Sequence, residues 1–279
     1  GGVDLSNTQN TIGAATVVAP GEAVSLTDGA SGLELAGVTA GSLAVVAAGD
    51  VMQTATLNVT GGVDVTARTT SGPAANVTLI DANNVYGSIG AQAFGPGTAR
   101  GTVTILDDAP IALRTTTAVT LSVTAVGGIS QAAGVIDVTG VTTLNAGVGV
   151  VALGDTGNDF GTVDVNDAPV SITLGDTDGI VLTALNTATL SVDAGGLVTD
   201  SGAIVATDAA TVSGDGGVTL DAPGTNFDVF SSVSGTGPVV LIDPDAVRLG
   251  EIEAGSLTIT ASGVINQTGD AITVTGATR

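Results

Sequence analysis

The sequence predicts an all-β protein, a parallel β-helix (β-solenoid) with about three coils in each repeat of about 67 residues. Three observations carry this. A strand frame with every fixed position two apart returns four times. An Asp-headed turn returns ahead of it at nearly constant spacing. The composition is glycine and β-branched residues, with few of the Leu, Glu and Lys blocks that favour helix.

The frame is Leu-x-Val/Ile-x-Ala-x-Gly-x-Val/Ile-x-Gln/Asp. It occupies Leu43 to Gln53, Leu121 to Gln131, Leu190 to Asp200 and Leu257 to Gln267, with starts 78, 69 and 67 residues apart. A period of two places alternate side chains on one buried face of a strand. Its return at long, regular spacing marks a repeat architecture. The turn runs Leu174, Asp176, Ile180, Leu182 and again Leu241, Asp243, Val247, Leu249, with the same spacing at Ile105, Asp107, Ile111 and Leu113. Leu26, Asp28, Leu33 and Leu35 fit with one residue added. Aspartate heads such turns because its carboxylate accepts nearby backbone N–H groups. A third element pairs Asn226 and Phe227 with Asn158 and Phe160.

Each repeat therefore holds eight or nine short strands between Gly/Asp/Asn/Pro turns. A sandwich does not require the same turn chemistry again and again, whereas a solenoid does, since each coil turns above the last. Three faces per coil give ~22 residues per coil and a rise of ~4.8 Å. Residues 1–279 read as one elongated solenoid of about four repeats, with a loop insertion near residues 83–100 that explains the spacing of 78. Gly1 to Leu5 corresponds to Gly216 to Leu220 at an offset of 215, and Ile272 to Val205 at 67. Neither end reads as a polar cap. The expectation is an excerpt of a longer solenoid, or copies stacked end to end.

Composition excludes several function classes. The net charge of −22 disfavours nucleic acid and anionic membrane surfaces, both of which are bound through Lys and Arg. Mean hydropathy is +0.52, too high for disorder, yet no run approaches the ~20 apolar residues of a membrane span, so no membrane insertion is expected. The chain has no Cys, His or Lys; its five basic residues are Arg68, Arg100, Arg114, Arg248 and Arg279. That removes imidazole bases, thiol nucleophiles and Schiff-base chemistry.

Carboxylates are the remaining reactive groups. Asp107 with Asp108, Asp176 with Asp178 and Asp243 with Asp245 have the makings of acid/base pairs. They recur at one turn of each repeat, however, whereas catalysis is placed once, so the turn itself accounts for them. Asp176, Asp178, Asp243 and Asp245 are weak calcium candidates, with neither an EF-hand nor a β-roll calcium pattern beside them. No cofactor is expected. Within the insertion, Tyr86, Phe94 and Arg100 are the candidate binding residues.

The runs from Ser42 to Gln53 and from Ser256 to Gln267, with Asn158, Phe160, Leu241 and Asp243, resemble the repeats of large bacterial exoproteins. These are the filamentous-haemagglutinin-like, two-partner-secreted adhesins, and the likeness covers the repeat region only. It implies a right-handed parallel β-helix, export across an outer membrane, and a place in surface fibres, adhesion or biofilm matrix. Three readings follow. The first is a non-enzymatic structural segment of an extracellular fibre on the bacterial cell surface, partnered by itself head to tail or as one longer chain. The second is an adhesin that binds a host or matrix polymer through residues 83–100. The third is a polysaccharide-active β-helix enzyme.

Overall fold

A computed structural model describes residues 1–276. No helix occurs among them; the 26 strands, from Val3–Leu5 to Ile272–Val274, stack in parallel as a β-solenoid of about 14 turns. Backbone contacts divide the chain into two compact units, Gly1–Val141 and Thr142–Arg279.

In the first unit, the long strand Leu33–Ala47 shows how a coil is made. Its register against Val51–Arg68 breaks after Leu35 and after Ala40, which divides it into three straight pieces, one per face. Burial alternates along each piece, so Leu33, Leu35, Val38, Ala40, Leu43, Val45 and Ala47 all point inward. The row Val24, Leu43, Val63, Ile89 then stacks one side chain per coil. Each large aliphatic in such a row contributes about 1.5–3 kcal/mol by leaving water. One corner is closed by glycine. A Cβ on Gly41 would lie 2.5 Å from the backbone of Gly21, and one on Gly61 would lie 2.4 Å from the carbonyl oxygen of Gly41. Only glycine lets successive backbones approach that closely.

The second unit repeats this plan with a more aromatic core. Ile172, Leu190, Ala210 and Phe230 form one inward row. Val198, Val218, Val239 and Leu257 form another, on the next face. Phe160, Phe227 and Phe230 are fully buried, with the last two rings 5.3 Å apart.

The registers sharpen the expected coil length. Val24 to Leu43 is 19 residues and Leu43 to Val63 is 20. Ile172 to Leu190 is 18, and Leu190 to Ala210 is 20. A repeat of about 67 residues thus fills three coils and one further face. The frame that starts at Leu43 lies on the third piece of its coil, and the copy at Leu121 continues the row Leu33, Val51, Val77, Val103 on the face of the first piece. In the second unit, Leu190 and Leu257 likewise lie on successive faces. Equivalent motifs step around the wall instead of forming one column.

The insertion is not a loop over residues 83–100. Val85–Phe94 is a strand whose residues pair with Val51–Arg68. The extra length sits on either side of it, in residues 69–76 and 95–101, which lengthens two coils: Val63 to Ile89 is 26 residues and Ile89 to Leu113 is 24.

Candidate functional site

The repeated aspartates are the most ordered polar feature of the fold. Asp28, Asp107, Asp176 and Asp243 are each at most 1% exposed. A buried carboxylate is tolerable only when its oxygens are hydrogen-bonded, and all four solve this in the same way. One oxygen accepts from the turn two residues ahead: Ala30 at 2.8 Å, Ala109 at 2.8 Å, Asp178 at 3.0 Å and Asp245 at 3.0 Å. The other accepts a backbone N–H from the preceding coil. Its donors are Ile12 at 2.7 Å, Tyr86 at 3.3 Å, Phe160 at 2.7 Å and Phe227 at 2.9 Å. The carboxylate is a clasp between coils.

The clasp also explains the fixed alanine of the strand frame. Asp28 is in register with Ala47, Asp107 with Ala125, Asp176 with Ala194 and Asp243 with Ala261. A small side chain on the following coil leaves room for the carboxylate to turn inward. Ala47, Ala125 and Ala194 are themselves buried. The two motifs, separate in the sequence, are therefore two layers of one device spanning three coils.

Charge environments differ among the clasps. Burial pushes Asp176, Asp243 and Asp107 above the usual carboxylate range. Their N–H donors offset this in part, and Asp178, Asp245 and Asp108 respectively add to it. Burial also acts on Asp28, but three backbone N–H groups and the Ser31 hydroxyl outweigh it and hold its carboxyl below that range.

The candidate residues separate on this geometry. Asp176 and Asp243 are clasps with both oxygens engaged, on different faces of the second unit. Asp178 and Asp245 are exposed; the first accepts from Gly179 and the second from the Asn226 side chain. Among the described residues no group of three or more acids converges on a point where a metal ion would be held. Tyr86 is 5% exposed and points into the core in the place that Phe160 and Phe227 take in their repeats, so it cannot meet a partner. Burial, with Asp107 and Asp81 nearby, drives its phenol pKa far up. Arg100 is half-buried and held by both carboxylate oxygens of Asp137.

Phe94 does reach the surface region, beside a residue that the sequence did not single out. The Arg68 guanidinium lies over its ring, 4.9 Å from the centroid. The two flanking loops pack around this pair. Thr69 and Ala75 both donate to the Phe94 carbonyl, and Gly95 and Ala99 close a tight turn at 2.7 Å. The signal for Arg68 was faint: it ends the alternating run Val63, Val65, Ala67 on an outward position.

These features define a β-solenoid repeat protein whose coils are joined by buried carboxylate clasps. The chain belongs to the family described as Repeats of unknown function (DUF5649), whose model matches residues 21–92, 100–166, 170–234 and 236–279. Each match contains one copy of the strand frame, and the gap at 93–99 covers the last two residues of the strand Val85–Phe94 and the turn after it. Comparison with curated proteins and with solved structures gives no match.

Proposed function

We propose that the chain is a structural segment of an extracellular bacterial surface fibre, its solenoid carried on through further repeats or stacked copies, and that it is not an enzyme. The observation that supports this best is how the repeated acids are used. All four recurrent aspartates are buried and bond coil to coil, which is a mechanical use of a carboxylate. The tandem order of the four family matches supports extension by more of the same, and the resemblance of the runs Ser42 to Gln53 and Ser256 to Gln267 to exoprotein repeats supports the cell surface as the location. A net charge of −22 keeps such a strand-rich surface from sticking sideways to its copies.

Electron microscopy of the native assembly tests this reading. Thin fibres with an axial rise of ~4.8 Å per coil are expected. Compact, monodisperse particles at every concentration, with no fibre on the cells of origin, would overturn it. An adhesive role is the second reading. The loops at 69–76 and 95–101 favour it, because they break an otherwise regular wall directly after Arg68 and Phe94.

A further inference from the structure

Three arginines of the described residues hold carboxylates: Arg100 with Asp137, Arg114 with Asp64 and Arg248 with Asp228. Arg68 has none among the described residues, although acids outnumber basic groups 27 to 5 in the chain. It is exposed, and its guanidinium lies over the Phe94 ring. Arg68 also lines a notch of about 180 Å³, together with Thr8, Val46, Ala47, Ala48 and Thr70. The notch exists because the outer positions on the two preceding coils are Gly29 and Ala48, while the turn through Thr8 closes the far wall over Gly29.

We propose that this notch binds a carboxylate-bearing sugar ring, such as a uronic acid unit of an acidic polysaccharide. Each part of the lining has a use for that chemistry. A planar guanidinium without a carboxylate partner offers two parallel N–H groups to one. The methyl groups of Val46 and Ala48 offer an apolar floor for the C–H face of a pyranose, with the Ala47 backbone between them. Thr8 and Thr70 place hydroxyls where ring hydroxyls need partners. The volume falls below the ~300 Å³ at which drug-sized sites begin, which suits one ring of a longer chain. Asp28 lies beneath the notch, but its carboxylate is turned under the floor and taken up by Ile12, Ala30 and Ser31. This inference goes beyond the fibre reading and does not depend on it, and it gives the adhesive reading a ligand class.

The test is titration of the ¹⁵N-labelled chain with glucuronate and, separately, with glucose, followed by amide shifts. Glucuronate should move the amides of Thr8, Val46, Ala47, Ala48 and Thr70 together and saturably, and glucose should not. R68A should weaken the response roughly tenfold or more, and R68K several-fold, because a lysine keeps the charge and loses the fork. Since Arg68 is exposed, unchanged spectra elsewhere in R68A will show that the fold is intact. Absence of shifts at tens of millimolar glucuronate, equal shifts with glucose, or unchanged affinity in R68A would each overturn the proposal. Fibre formation is scored apart from this, so failure of one leaves the other standing.

Discussion

The clasps at Asp28 and Asp243 use the same residue, the same burial and the same two bonding directions, yet their carboxyls move in opposite senses. The difference lies in the neighbours. Asp28 collects three backbone N–H groups and a serine hydroxyl, and its turn reads Gly29, Ala30, Ser31 with no acid. Asp243 has two N–H donors and faces Asp245, whose backbone it caps. A buried charge is stabilised by donors and opposed by nearby like charge. One clasp is built for an ionised carboxylate; the other holds its proton more tightly when folded.

The largest expected effect comes from replacing each acid with its amide. At Asp28 the substitution D28N removes a favourable charge and turns an NH₂ toward an N–H donor, at an expected cost of about 2–3 kcal/mol. At Asp243 the substitution D243N also loses an acceptor but relieves repulsion from Asp245, so about 1 kcal/mol is expected. Repeat arrays can unfold in parts, so urea melts should be paired with hydrogen exchange at the two cross-coil amides, Ile12 and Phe227. Equal losses at the two sites would break the comparison.

The response to pH sharpens it. Asp28 is the stronger acid when folded, so its contribution is present at neutral pH and is lost as pH falls through its lowered folded value. Asp176 and Asp243 are weaker acids when folded. Their contributions grow as pH falls from neutral through their raised values, and level off near the unfolded carboxylate value of ~3.9. Asp107 behaves likewise, beside Asp108. Acidification also reduces the repulsion of a chain at −22, but that gain is shared by all sites. The discriminating quantity is exchange protection, corrected for intrinsic rate. From pH 7 to mildly acid conditions it should rise more at Phe160 and Phe227 than at Ile12. A uniform change at all three amides would mean that net charge, not local environment, sets the acid response.

The fold was largely legible because a solenoid repeats its instructions. Period-two alternation gave the inward rows, and aspartate at a fixed point gave the corner. What could not be read was the relation between motifs one coil apart. The spacing of 16 residues between Ile12 and Asp28, Phe160 and Asp176, and Phe227 and Asp243 is constant. It acquires meaning only once coil length is known to be 18 to 20, since a slightly shorter step brings the donor to the corner above. Residues 83–100 misled for the same reason. Extra length was visible, but its location was not, because Tyr86, Gly90 and Phe94 suggest a loop in composition while alternation through Ile89, Ala91 and Ala93 marks a strand. Arg68 escaped notice because a lone exposed arginine has no periodic signature; its importance comes from the absence of an acid within reach among the described residues.

Tyr86 gives the smallest and most local test. The position it occupies is filled by hydrocarbon in the other three repeats: Ile12, Phe160 and Phe227. Its hydroxyl is buried without a hydrogen-bond partner, and its clasp is the longest of the four at 3.3 Å. A buried donor left unmade costs more than a made one returns. The phenol also lies in a negative environment, with Asp107 and Asp81 nearby, so it cannot relieve the cost by ionising. Y86F keeps the ring and removes the orphaned group, which makes this repeat match those of Phe160 and Phe227. A gain of up to about 1 kcal/mol in the urea melt is expected, with unchanged exchange at the clasp amide. A loss of similar size would show that the hydroxyl is bonded in solution, through a buried water bridging it to Asp107, and that this clasp has a fourth member the other three lack.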